Sequence, residues 1–296
     1  MVLSAQNKEN KMSFSFAVLS HLGIHTFMDS IKLIPYLFLT YLILEYIEHN
    51  AQSRIRKIIC RVNPYGPLYG AILTPVSGCG LAATVSNLYI TKLISYGTLI
   101  SVYLATADEM LPMLIVANIN GGMICAILLF QMIFAIGIGL IIDQFFKTTP
   151  TFKIHTLCHH DKCLCHHHGI LKSAIFHTVR IMIFILLISF ILNCIFELTG
   201  EQMIADLTKH NTFWGILLSA CLGLIPNCAV PVTLTRLYVE SVIPLSVMMA
   251  GLFSNAGVGL LVFYKSGADI KLLFKTVLLL LICGICGGLL ADIVFN

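Results

Sequence analysis

Apolar residues are not spread evenly along this chain. They gather in segments at about 31–47, 66–90, 93–117, 121–142, 174–198, 213–239, 242–264 and 272–295, separated by short polar or charged stretches. A helix needs roughly 20 apolar residues to cross a bilayer, so the pattern predicts four membrane segments in each half of the chain. Two segments per half are interrupted. One interruption reads Thr74-Pro75-Val76-Ser77-Gly78-Cys79-Gly80 and is matched by Gly223-Leu224-Ile225-Pro226-Asn227-Cys228-Ala229. The other reads Ala105-Thr106-Ala107-Asp108-Glu109 and is matched by Ser254-Asn255-Ala256-Gly257-Val258. Proline has no amide proton to donate and glycine costs backbone entropy in a helix. The four stretches are therefore expected to break their helices. Broken backbone at membrane depth persists only where protein or a cavity satisfies the freed groups.

The matching interruptions belong to a longer repeat. Cys79, Thr84, Leu88, Tyr89, Ile94 and Ala107 recur at one constant offset as Cys228, Thr233, Leu237, Tyr238, Ile243 and Ala256. His25, Thr26, Ile31, Phe38, Ile43 and Glu45 recur at a second, slightly longer offset as His177, Thr178, Ile183, Phe190, Ile195 and Glu197. Paired repeats with interrupted helices are how many transporters build a substrate site at the bilayer midplane.

Composition agrees: 58% of residues are hydrophobic and 11% charged, against roughly 25% charged in a soluble domain. No polar stretch is long enough to fold as a soluble domain, and no cleavable signal peptide is expected ahead of the first apolar segment. The net charge of +4 comes from loops and gives no reason to expect a nucleic-acid partner. Those loops choose the topology. Arg54, Arg56, Lys57 and Arg61 precede the second segment, and Lys147, Lys153, Lys162 and Lys172 lie in the central loop. Lys265, Lys271 and Lys275 lie in the loop at 265–275, whereas the loop at 200–212 holds Glu201 and Asp206 against Lys209. The positive-inside rule places the first three in the cytoplasm. Four spans per half would put the first two on opposite sides. An odd number does not, so we expect about five crossings per half, with the halves inverted.

The expected architecture is thus an all-α integral membrane protein with two inverted repeats of about five broken-helix segments. Residues 1–24 form an N-terminal segment, 25–146 the first repeat, 147–172 a cytoplasmic loop and 173–296 the second repeat.

Two places carry candidate chemistry. Asp108 and Glu109 are acids within an apolar run and beside a helix break. A charge at the centre of a membrane helix costs at least ~2.5 kcal/mol on insertion scales, which marks such residues as functional candidates. Together with freed carbonyls they can converge on a cation or carry protons. Cys79 and Cys228 flank the other pair of breaks, where a thiol can ligate a soft metal or simply let helices approach closely. Ser77, Thr106, Asn227 and Asn255 bring hydroxyls and amides that serve either as oxygen ligands or as partners for broken backbone. Glu45 shares a helix face with Glu48 and His49, as a proton relay or as an interfacial helix end. Arg236 fits an ion pair near a helix end. Cys283 and Cys286 lie among glycines and fit helix packing rather than redox chemistry. The second place is the central loop, where residues 155–168 read HTLCHHDKCLCHHH. His155, Cys158, His159, His160, Cys163, Cys165, His166, His167 and His168 are ligand types for zinc, copper, nickel and cobalt. Their spacing is too close and irregular for a preformed tetrahedral site. It suits a flexible loop that gathers metal with thiols kept reduced in the cytoplasm.

The stretches LIPNCAVPVTLTRLYVESVIP, SNAGVGLLVF, GCGLAATVSNLYITKLIS, ATADEMLPMLI and LTYLILEYIEH, with a His/Cys-rich loop between halves, resemble the ten-helix heavy-metal exporters. That family is related in name to arsenical permeases and is sometimes described as manganese transporters. The resemblance spans about residues 25–296 and is most specific at Ile225-Pro226-Asn227-Cys228 and Asp108-Glu109. In the family the first break resembles the second, with proline two residues before the cysteine. Here Ser77 holds that place and Pro75 stands two residues earlier.

The resemblance implies export of a metal across the plasma membrane. With no nucleotide-binding motif, coupling to an ion gradient is expected, and so is a divalent transition metal such as manganese or zinc as substrate. No resident cofactor and no enzymatic activity are expected, and the lipid bilayer and the metal are the expected partners. Arsenite or organoarsenical efflux through the cysteine pair is the alternative within transport. A membrane metal-sensing or metal-binding module and an intramembrane hydrolase on Asp108 and Glu109 are alternatives of other kinds.

Overall fold

Long apolar runs in lipid fold as helices because a helix satisfies its backbone groups within one segment. The computed structural model describes residues 65–106, 110–146, 212–226 and 229–295, together with isolated helical positions at 34–35, 38–39, 42, 175, 178–179, 182–183 and 186–187; of residues 75–79 it describes the backbone alone. All regular elements among the described residues are helices. They are α1 (Gly66–Ile90), α2 (Tyr96–Ala105), α3 (Met110–Val116), α4 (Gly121–Phe145), α5 (Thr212–Gly223), α6 (Ala229–Val239), α7 (Leu245–Ser254), α8 (Gly259–Lys265) and α9 (Ile270–Phe295). Among the described residues, four stretches are long and apolar enough to cross a membrane: Tyr96–Val116 (α2 with α3), α4, Leu245–Lys265 (α7 with α8), and α9. The chain is a membrane protein. α7 and most of α8 are buried, whereas α4 and α9 expose Leu129, Ile133, Phe274, Leu278 and Ile293. In lipid such apolar outer faces meet a matching solvent, so the broken helices form the centre.

The repeat seen in sequence reappears in backbone geometry. The offset that relates Cys79 to Cys228 also carries both ends of α2 onto those of α7, both ends of α3 onto those of α8, and the start of α4 onto that of α9. The α1–α2 turn has Lys92 at φ 57°, and its counterpart between α6 and α7 has Ser241 at φ 58°. Their amides donate to the carbonyls of Tyr89 and Tyr238 at 2.8 and 2.9 Å. Asn118 and Gly267, in the turns before α4 and α9, both have positive φ. The second set of repeated pairs, from His25 with His177 to Glu45 with Glu197, lies largely outside the described residues.

Side-chain contacts fix the helix directions. The Phe146 ring, just past α4, lies under Lys275 Nζ at 3.8 Å near the start of α9. Phe130, in the first half of α4, packs on Phe295 at the end of α9 with centroids 5.7 Å apart. α4 and α9 thus run in opposite directions. α2 starts beside the end of α4, where Gly97 N donates to Asp143 Oδ1 at 2.8 Å, and finishes beside its middle. α7 starts near the end of α9, where Ser246 and Ala250 border Gly288, and runs inward until Ala250 and Ser254 border Gly284.

α1 departs from the sequence expectation. Its helix continues through 74–80 with no gap, although its counterpart leaves the helix between α5 and α6. Past the end of α5 at Gly223 the chain tightens through Leu224 N to Cys221 O (3.3 Å) and Ile225 N to Leu222 O (3.0 Å), and Pro226 stands outside the helix. In α1, Thr74 Oγ1 donates back to Gly70 O at 2.7 Å, next to Ala71 O, the carbonyl that Pro75 cannot bond. The axis nevertheless reverses. Gly66 lies beside Thr98 and Gly70 beside Val102, so the first arm runs with α2. Ser86 then bonds Tyr103 Oη at 2.7 Å, and the Tyr89 and Tyr96 rings meet at 5.6 Å, so the second arm runs against α2. The bend falls between Gly70 and Ala82. α5 and α6 make the equivalent hairpin, with Ser219 and Leu234 both against Gly251. The extra segment expected in each half is therefore the second arm of a hairpin that enters and leaves at one end of the molecule. It adds no net crossing. Tyr65 and Trp214, exposed where the two hairpins begin, are interfacial anchors.

Candidate functional site

Interrupting an apolar helix leaves its last carbonyls without amide partners. At the end of α2 the backbone turns extended at Thr106 (φ −65°, ψ 118°). Thr106 Oγ1 donates back to Val102 O at 3.0 Å. Two further carbonyls are met from α4, where Gln131 Nε2 donates to Leu104 O at 3.1 Å and Thr106 O at 3.0 Å. Gln131 is 1% exposed, and its Oε1 has no hydrogen-bond partner among the described residues. At about 1.5 Å per residue it sits about 15 Å from the start of α4, the middle of a ~30 Å hydrocarbon core.

The end of α7 comes to the same level. Asn255 is extended (φ −84°, ψ 109°) and buried. Its Oδ1 accepts from Gly257 N at 2.9 Å, and Gly257 takes the positive φ this turn requires. Ser254 Oγ donates to Ala250 O at 3.1 Å and reaches Leu280 O of α9 at 3.5 Å. Phe253 packs on Phe134 and Phe130 of α4, with centroids 4.6 and 6.0 Å away. α2 and α7 touch directly. Two half-length helices thus approach from opposite ends of the molecule and finish together at mid-depth. Each helix C-terminus carries about −0.5 elementary charge and each N-terminus about +0.5, and both kinds meet here, since α3 and α8 begin within a few residues of the ends of α2 and α7.

The half-helices beyond the breaks cross over. α3 packs on α6, and α8 packs on α1. Ser86 Oγ links both sides of this contact, bonding Tyr103 Oη and donating to Gly259 O at 2.9 Å. A Cβ at Gly259 would stand 2.8 Å from Tyr103 Cε1 and 3.1 Å from Ala82 Cβ. Only glycine permits this approach without displacement.

Among the expected site residues, Thr106 and Asn255 are brought to the junction, and both side chains hold broken backbone in place. Asp108, Glu109, Asn227, Cys228, Glu45 and the loop residues from His155 to His168 lie outside the described residues, as do the side chains of Ser77 and Cys79. Among the described residues no group of three or more His, Cys, Asp or Glu side chains is placed to hold a metal. Arg236 pairs with Glu240 at 2.9 Å on an exposed helix face, as expected of an end residue. Cys283 is buried and Cys286 exposed, both as free thiols, in the stretch where Gly284, Gly287 and Gly288 receive α7. Gln131 was not anticipated. Its signal was available: it is the one amide within the apolar stretch from Gly122 to Ile142. Its repeat counterpart is Leu280, so the repeat did not point to it.

No curated protein and no solved structure matches the chain. A family described as "Putative, 10TM heavy-metal exporter" matches residues 23–197 and 149–263. With those two matches reaching across most of the sequence, through both helix junctions, the chain belongs to that ten-helix family.

Proposed function

We propose that this chain is a secondary-active transporter that exports a divalent transition metal from the cytoplasm, through a site between the unwound middles of two inverted repeats. The observation that carries this reading is the meeting of the α2 and α7 C-termini at mid-depth, a junction of interrupted helices built from corresponding parts of the two halves. The opposed directions of α4 and α9 support inversion. Orientation follows from charge. Lys92, Lys265, Lys271 and Lys275 share one end with Asp143 and Asp269, and the other described end carries Arg236, Glu240 and Asp292. The lysine-rich end is cytoplasmic by the positive-inside rule. In this reading Asp108 and Glu109, two and three residues beyond Thr106, supply anionic ligands or carry the exchanged proton. Ser77, Cys79, Asn227 and Cys228 contribute from the hairpin bends, and Glu45 from the first segment. The loop with His155, Cys158, His159, His160, Cys163, Cys165, His166, His167 and His168 gathers metal on the cytoplasmic side. Alternating access is rocking of one half against the other around the junction.

A metal-sensitivity panel in a host lacking its own exporters tests this. The wild type should protect against manganese or zinc. Asp108→Asn should abolish protection, and deletion of 155–168 should weaken it without removing it. Protection against arsenite alone would overturn the divalent-metal assignment.

A further inference from the structure

Gln131 places a neutral oxygen at the junction with nothing to accept. Its amide orientation is fixed, because Leu104 O and Thr106 O are both acceptors and need the NH₂ group facing them. The remaining atom must be Oε1, and it is buried without a partner among the described residues. An unmet buried acceptor costs about 1–3 kcal/mol, and no hydrocarbon solvent can relieve it. Apolar residues fill the rest of the helix around it, with Leu128, Phe130, Phe134 and Ala135 packed in the core. A leucine in its place, as at the corresponding Leu280, would avoid the unmet oxygen. What the glutamine adds is an acceptor oxygen beside the broken end of α2, open to join a coordination shell. An amide oxygen has lone pairs and no proton to give, so it suits a cation and not an anion.

Resting on the transporter reading above, we propose that Gln131 Oε1 is a direct ligand of the transported ion and tilts the site toward hard, oxygen-preferring divalent cations. Amide and backbone carbonyl oxygens suit manganese-like ions, while thiols and thioethers suit softer ones. The glutamine then does two jobs in one plane. Its nitrogen secures the broken end of α2, and its oxygen takes part of the ion's coordination shell.

The test is initial-rate flux of Mn²⁺ and of Cd²⁺ through the full chain in proteoliposomes, comparing wild type with Gln131→Met and Gln131→Glu. Methionine keeps the length and replaces the oxygen by a soft sulfur. Gln131→Met should lower the Mn²⁺/Cd²⁺ rate ratio by on the order of 10–100-fold, the range seen when support around a bound metal is altered. If both fluxes fall by the same factor, Gln131 only holds the helix and the proposal is overturned. Gln131→Glu, nearly isosteric, serves if the methionine variant does not fold. Its carboxylate keeps a hard oxygen, so the preference for Mn²⁺ should persist there, and a lowered Mn²⁺/Cd²⁺ ratio in that variant likewise overturns the proposal. A wild type that moves neither ion fails the transporter reading itself, an outcome separate from a selective wild type whose methionine variant keeps its ratio.

Discussion

A single methylene decides whether the two halves can close on one another. Gly259 sits against Ala82 and Tyr103, and Tyr103 cannot swing aside without releasing Ser86. Gly259→Val should therefore destabilise the protein by about 1–3 kcal/mol, the usual cost of overpacking, seen as a lower unfolding temperature in detergent. Gly137 has open space around its Cα, so Gly137→Ala should be neutral or slightly stabilising in the same assay. At this scale the sequence was partly legible. It marked Thr106 and Asn255 as break residues, and both are. It could not separate a ligand from a backbone partner, because that depends on which carbonyls lie within reach. Gln131 was visible as a polar residue in apolar surroundings, but its importance came from Leu104 and Thr106 on the preceding span, and no local pattern links them.

Among the elements, α2 depends on support from outside itself. Its N-terminus is capped by Ser95, whose Oγ accepts from Thr98 N at 3.2 Å, and by Asp143 from α4. Asp143 accepts from Gly97 N at 2.8 Å and from Ser95 Oγ at 2.7 Å. A carboxylate at a helix N-terminus is favoured by the helix dipole. Asp143→Ala would leave the Gly97 amide without this acceptor, and we expect a loss of about 1–3 kcal/mol, measured as reduced thermal stability. Asp143→Asn should lose less, since an amide oxygen still accepts. The interruptions at 105–109 and 254–258 were legible because polar and small residues end an apolar period in both copies. The interruption at 74–80 reads in the sequence as a break with an added crossing, and it is a reversal within a continuous helix. Pro75 marks the place, but the reversal rests on contacts with α2 that no local pattern carries.

Taken as a whole, the molecule solves its topology by folding back. The basic loops lead us to expect an odd number of crossings per half, and among the described residues the hairpins of α1 and of α5 with α6 each add two arms and no net crossing. The arrangement predicts which residues share a side. In inside-out and right-side-out vesicles, a membrane-impermeant thiol reagent should modify Lys92→Cys and Lys271→Cys from one face and Glu240→Cys from the other, read by peptide mass. Labelling of Lys92→Cys and Glu240→Cys from the same face would overturn the proposed inversion of the halves. The membrane class, the repeat and the family were legible because hydrophobic pattern, loop charge and internal similarity are properties of sequence alone. The crossing-over of α3 and α8 was not, since it joins residues far apart in the chain. That exchange has a consequence for biosynthesis. The partner of Ser86 at Gly259 is 173 residues downstream. At ribosomal rates of about 5–20 residues per second, the first half waits roughly 10–35 s with a groove unfilled. A nascent chain stalled at its central loop should be protease-sensitive around α1, and should gain protection when the missing half is supplied as a separate polypeptide.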